Sequence, residues 1–377
     1  GSDNDLVANV ENVIGSSGAD NLAGDNLVNV LTGGAGNDTL SGHGGADTLI
    51  GGADVDTVDY STQTGINFIS VVLNGAGNAT VTVDGDANDT IREIENVIGS
   101  TGNDILTGDN LANSLDGFSG NDTLIGSGGA DLMIGGAGTD TLDYSSQAGV
   151  TSVTVDLDGA NTMTVVVNGD VNDTIRDIEN VIGTAGDDIL DGDANTNLLF
   201  GMGGNDLIRP EFGNDTLDGG TGTNTLGYND LNSPIVVDMS VVAGGFFSVS
   251  VNGNTQLATN FQNVTGSIND DTITGDSGNN VLSGDRGRDT LIGGSGNDSL
   301  FGGDDEDTLT GGLGDDLLDG GNADDVLRAD AGADTFDGGA GFNDLLDYSS
   351  QTGITLSLIH ISEPTRLRRI SYAVFCL

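Results

Sequence analysis

At nine-residue intervals this chain places an aspartate among glycines, in the pattern Gly-Gly-x-Gly-x-Asp-x-U-x, where U is a large apolar residue. Unbroken copies stand at 33–41, 135–143, 293–301 and 311–319. The chemistry open to such a unit is that of oxygen. Glycine at positions 1, 2 and 4 supplies backbone angles that a Cβ forbids and lets carbonyls converge, and the position-6 carboxylate adds a hard anionic donor. Together they suit a hard divalent cation. Nitrogen and sulfur ligands are nearly absent, with 2 His and 1 Cys in 377 residues.

The aspartates fall into four arrays. Position 6 reads Asp20, Asn29, Asp38, Asp47, Asp56 in the first and Asp104, Asn113, Asp122, Asp131, Asp140 in the second. The third reads Asp188, Asn197, Asp206, Asp215, Asn224, and the fourth Asp271, Asn280, Asp289, Asp298, Asp307, Asp316, Asp325, Asp334, then Asn343 after a one-residue shift of register. The second unit of every array carries Asn, so a site using it is expected to be weaker. Position 8 is Leu, Ile, Val, Met or Phe throughout, for example Leu40, Met133, Ile208 and Phe336. A disordered Gly/Asp-rich linker has no reason to keep that register.

The arrays start at 15, 99, 183 and 266, so a repeat of about 84 residues contains both a nonapeptide array and a different block. The expected organisation is the end of a block at 1–14, arrays at 15–59, 99–143, 183–227 and 266–347, blocks at 60–98, 144–182 and 228–265, and the start of a further block at 348–355. Alternating segments at 68–73, 80–83, 153–157, 163–167 and 247–251 read as half-buried strands, with Asn168-Gly169 a hairpin turn. No 3.6-residue pattern lasts three turns. The reading is all-β, with both ends cut from a longer array.

From Leu356 the text changes. Residues 356–366 and 370–377 resemble a sequencing adapter translated in frame, and the 356–377 tail is set aside from function. Without it the chain has no cysteine, hence no disulfide or thiolate chemistry.

Composition narrows the partners. With 59 Asp+Glu against 9 Arg and no Lys, the formal net charge is −50. Such a surface repels phosphate backbones and anionic lipid, so nucleic-acid binding and membrane insertion are not expected, and no apolar run is long enough to span a bilayer. Cations are the natural partner.

The nonapeptide resembles the RTX, or haemolysin-type, calcium-binding repeat. The resemblance implies a parallel β-roll in which six residues of each unit form a turn and three a strand, with multiple calcium ions between turns of units n and n+2. The fold expected is therefore calcium-bound parallel β-roll arrays alternating with β-hairpin-rich blocks. The metal ligands it implies are the position-6 aspartates named above, with the pairs Asp38/Asp56, Asp122/Asp140, Asp289/Asp307, Asp298/Asp316, Asp307/Asp325 and Asp316/Asp334 foremost. It also implies an extracellular protein exported by type I secretion machinery, whose folding waits for calcium outside the cell. Two further roles fit the same residues: the stalk of a calcium-dependent adhesin or surface-layer protein, in contact with a cell surface or polysaccharide, and the secretion and folding module of an exported enzyme encoded elsewhere in a longer chain. No catalytic residue is expected here, because the repeat period accounts for every Asp-rich cluster.

Lesser signals have plainer readings. Residues 84–95 and 168–179 imitate an EF-hand loop but lack its glycine at position 6 and its flanking helices, so turns between β-segments are expected. His43 reads as a solvated turn residue, and Tyr60, Tyr144, Tyr228 and Tyr348, which recur at block starts, read as structural.

Overall fold

The computed structural model describes residues 10–351 except 64, 85, 87 and 160; the adapter-like tail lies outside the described residues. Every regular element among them is a β-strand, and the chain divides into two compact units, Gly1–Asp193 with Asn197–Met202 and Ala194–Thr196 with Gly203–Leu377. Each unit is a parallel β-solenoid.

The nonapeptide dictates its coil. Positions 7 to 9 make a three-residue strand whose middle residue points inward, as in Thr123–Ile125 and Leu132–Ile134, and successive units feed opposite sheets. Each strand therefore pairs in parallel with the strand two units on, in a register of eighteen residues: Leu31 with Leu49, Leu115 with Met133, Leu291 with Leu309, Leu300 with Leu318. The position-8 side chains stack in rows between the sheets, and Leu40, Leu49, Leu124, Met133, Leu291 and Leu300 are completely buried. One such residue every nine is a thin core, which explains the low aromatic content.

Turn geometry falls on positions 2 and 4. Gly34 and Gly36 have φ of 117° and 98°, in the left-handed region, and the non-glycines that replace such residues are forced there too: Phe118 at 69°, Met202 at 70°, Asp54 at 82°.

The blocks are built into the solenoid. In the first unit, strands Ile69–Val72, Ala79–Val83 and Asp89–Arg92 form an antiparallel meander that pairs in parallel with Thr48–Ala53 at one edge and Ile105–Thr107 at the other. On the facing sheet Thr57–Asp59 pairs directly with Asn96–Ile98. The second block repeats this with Val153–Asp156, Met163–Val167 and Asp170–Arg176, on the opposite sheet. The alternation follows from counting: five units is odd, so each block is reached from the other side. In the second unit Ile235–Asp238, Phe247–Val251 and Asn254–Thr259 insert between Thr216–Asp218 and Thr272–Thr274 in the same way.

The expected strands at 163–167 and 247–251 appear with those bounds, and the others agree to within one residue at either end. Asn168 and Gly169 both have positive φ, 53° and 88°, as a two-residue hairpin turn requires. The third strand of each meander was not foreseen. Tyr60, Tyr144 and Tyr228 are buried at the block starts, and their hydroxyls donate to Asp89 Oδ2 at 2.9 Å, Asp173 Oδ2 at 2.7 Å and Gln256 Oε1 at 2.5 Å.

Candidate metal centres

Stacking turns at eighteen-residue register puts each position-6 carboxylate against the backbone of the turn before it. Asp38 N–H donates to Asp56 Oδ1 at 2.8 Å, Asp104 to Asp122 at 2.7 Å, and Asp122 to Asp140 at 2.8 Å. In the last array Asp271 donates to Asp289 and Asp289 to Asp307, both at 2.7 Å, while Asp307 donates to Asp325 and Asp298 to Asp316, both at 2.8 Å. One oxygen of each carboxylate is thereby used.

The other oxygen is not. Oδ2 of Asp38, Asp47, Asp56, Asp122, Asp131, Asp140, Asp289, Asp298, Asp307, Asp316 and Asp325 is buried with no hydrogen-bond partner. An unpaired buried carboxylate oxygen is among the costliest groups a protein can hold, so a row of them marks where a cation belongs. The glycines agree. A Cβ at Gly117 would press on both Asp122 Oδ2 and Gly135 O, one at Gly293 on Asp298 Oδ2 and Gly311 O, and one at Gly302 on Asp307 Oδ2 and Gly320 O. Carboxylate and carbonyl oxygens therefore face one space that only a missing side chain leaves open, a donor set suited to calcium.

Electrostatics point the same way. Burial, partly offset by the backbone hydrogen bond and reinforced by neighbouring carboxylates, pushes Asp47, Asp122, Asp131 and Asp289 up to about 7 and Asp307 up to about 8. Without a cation these groups hold protons near neutrality.

The predicted ligands are not all alike. Asp20, Asp104, Asp188 and Asp271, first in their arrays, are closed by the chain itself. A Ser or Thr replaces glycine at position 2, and its N–H donates to Oδ2: Ser16 at 2.5 Å, Ser100 at 2.6 Å, Thr184 at 2.6 Å and Ser267 at 2.5 Å. The hydroxyls take Oδ1 as well, at 3.2, 2.9, 3.0 and 2.9 Å respectively. In the second units the amide stands in for an ion, since Asn113 Nδ2 donates to Glu95 O at 3.0 Å, Asn197 Nδ2 to Glu179 O at 2.8 Å, and Asn280 Nδ2 to Gln262 O at 2.8 Å. The first turn of each array thus has its carboxylate taken by local donors, and the second turns of the last three arrays set an amide nitrogen against the facing carbonyl; the aspartate register alone does not make that distinction.

Other predicted residues have individual settings. Asp206 is buried and its N–H donates to Asn224 Oδ1 at 2.9 Å. Asp215 Oδ2 accepts from Gln256 Nε2 at 2.8 Å. Asp334 lies with Asp316 in a cluster that also includes Asp330, a residue not foreseen, whose Oδ1 is buried without a partner. At the shifted end Asp344, not Asn343, takes the stacking position, accepting from Asp325 N–H at 3.1 Å.

The stacks also run into the blocks. Asp89 Oδ1 accepts from Asp47 N–H at 2.8 Å, Asp173 Oδ1 from Asp131 at 3.0 Å, Glu95 Oε2 from Asp56 at 2.9 Å and Glu179 Oε2 from Asp140 at 2.7 Å. The signal was present: Asn88-Asp89-Thr90-Ile91 repeats positions 5 to 8 of the nonapeptide without its glycines. The EF-hand-like spacing is a by-product. Asp84 and Asp86 bond to Asn67 and Gly45 instead of converging with Glu95. His43 occupies position 2 of its turn with φ of 61°.

Two sheets, an eighteen-residue register and carboxylate pairs between glycine turns define a class, the metal-binding β-roll. The RTX calcium-binding nonapeptide repeat, in its four-copy family description, matches residues 23–58, 93–117, 116–150, 169–208, 197–226, 265–300, 283–318 and 310–345. The chain belongs to this family and carries its calcium-binding repeats. No curated protein matches the sequence. Among solved structures it is similar to the extracellular lipase LipA from Serratia marcescens, with 14% identity and a TM-score of 0.20, over 66% of this chain and 37% of the lipase.

Proposed function

We propose that this segment is an extracellular calcium-dependent folding module, in which binding of several calcium ions and formation of the roll are one event. The observation that carries the reading is the row of buried, partnerless Oδ2 atoms at positions such as Asp289, Asp298 and Asp307. A chain of net charge −50 with one core residue per nine gains little by closing those turns around bare carboxylates. Closing them around cations removes the repulsion and satisfies the oxygens together, so metal binding is folding. Extracellular calcium modules bind at about 10⁻⁴–10⁻³ M, which leaves such a chain unfolded at cytosolic calcium and folded outside. The segment itself is proposed to bind and fold without turning over a substrate.

The test is a calcium titration followed by far-UV circular dichroism, with magnesium as control. A cooperative coil-to-β transition near millimolar calcium, absent with magnesium, is expected. The same β signal in excess chelator at neutral pH would defeat the proposal.

A further inference from the structure

The end of each array meets a block, and there the three junctions differ in a telling way. At the first, Gly51 faces both Asp56 Oδ2 and the carbonyl oxygen of Glu93, which has a left-handed φ of 55°. At the second, Gly135 faces Asp140 Oδ2 and the carbonyl of Asp177, again with φ of 55°. Asp56 and Asp140 are fully buried, their Oδ2 atoms have no partner, and their N–H groups donate to Glu95 and Glu179 as they would to the next aspartate of an array. The segments Glu93-Ile94-Glu95 and Asp177-Ile178-Glu179 therefore supply, in a turn shorter than the nonapeptide, the carbonyl and the carboxylate that a Gly-Gly-x-Gly-x-Asp turn supplies.

The third junction has the same backbone but amides at the two positions that carry carboxylates in the others, with Asn260 Nδ2 donating to Asp218 Oδ1 at 2.6 Å beside it. Asn224 replaces the aspartate, Gln262 the glutamate, and Asn260, with φ of 61°, supplies the carbonyl. Gly219 faces Asn260 O and Asn224 Nδ2 just as Gly51 faces Glu93 O and Asp56 Oδ2. Here Asn224 Nδ2 donates to Asn260 O at 3.0 Å, and Asn224 N–H donates to Gln262 Oε1 at 2.8 Å. A hydrogen-bonding NH₂ thus fills the place where the other two junctions set oxygen against oxygen. What replaces a proton between two oxygens, one of them a buried anion, is a cation.

We propose that the blocks complete two calcium sites of their own, one formed by Asp56, Glu95 and the Glu93 carbonyl and one by Asp140, Glu179 and the Asp177 carbonyl, while at the third junction the Asn224 amide closes on the Asn260 carbonyl in place of an ion. The inference rests on the calcium reading of the arrays. It makes the first two blocks metal-locked onto the array before them and the third metal-independent.

The test is anomalous scattering from calcium in crystals of the full chain and of two variants. Peaks are expected beside Asp56 Oδ2 and Asp140 Oδ2, and none between Asn224 and Asn260. Asp56→Asn/Glu95→Gln should erase the first peak, and Asn224→Asp/Gln262→Glu should create a peak at the third junction, which keeps the test open should the first variant fail to fold. Calcium at Asp289/Asp307 and Asp298/Asp316 with bare junctions would overturn the inference and leave the array reading intact. Calcium at no site would overturn both.

Discussion

Asp307 lies in the middle of the longest stack, 1% exposed, accepting from Asp289 N–H through Oδ1 and donating its own N–H to Asp325. Asp307→Asn keeps the shape and the Oδ1 acceptor but replaces the orphaned anionic oxygen with an NH₂ group. In calcium the substitution removes a ligand from the Asp289/Asp307 and Asp307/Asp325 pairs. An ion present at about a hundred times its dissociation constant stabilises by about 2.7 kcal/mol, so the loss of one or two ions costs roughly 3–5 kcal/mol. Without calcium the effect reverses. A carboxyl held up to about 8 in the fold disfavours folding at pH 7 by roughly 2–4 kcal/mol, the lower figure allowing for solvent screening, and the amide removes that penalty. Urea unfolding of both proteins in 10 mM calcium reads the first sign, and the pH at which each loses its far-UV circular dichroism β signal in chelator reads the second, the Asn variant being expected to stay folded to the higher pH. If Asn proves equally destabilising with and without calcium, the orphaned oxygen is not a metal ligand and the reasoning fails.

The metal-free fold is expected to be stabilised by acid. Asp122, Asp131 and Asp289 hold protons up to about 7 when folded and release them near 3.8 when unfolded, so their favourable contribution is complete below about 4 and disappears as pH rises through 7. Circular dichroism in chelator should show more β-structure at pH 5 than at pH 8, whereas the calcium midpoint should rise as pH falls; a metal-free β signal that grows toward pH 8 contradicts the assignment. Gly302→Ala places a Cβ against Asp307 Oδ2 and Gly320 O at a residue whose own backbone is not left-handed. It should lower calcium affinity at that turn at least tenfold in a calorimetric titration, and an unchanged isotherm would show that the space between those oxygens is not where the ion sits.

Much of this protein was legible in its sequence because a solenoid is close to one-dimensional. Each nonapeptide contacts mainly the copies eighteen residues away, so a period read along the chain is also a contact map. Position 8 therefore identified the core, from Leu40 to Leu318, and position 6 identified the carboxylate stacks. Hairpin chemistry at Asn168-Gly169 was local and equally readable.

What the period left open depended on neighbours brought in from elsewhere. Whether an aspartate oxygen meets a donor from another turn is decided by the residue opposite: Gln256 closes Asp215, and Asp122 between two glycine turns is left with a bare oxygen. The same holds for Asp89 and Glu95, which join the stacks only because the meander returns their strand to the side of Thr48–Ala53 and the following turn to the side of Asp56. The sequence by itself determined the repeat, the core and the supply of oxygen ligands, since those follow from spacing along one chain. Only the tertiary structure decided which oxygens remain without a proton donor, because hydrogen-bond satisfaction is a property of pairs that meet in space.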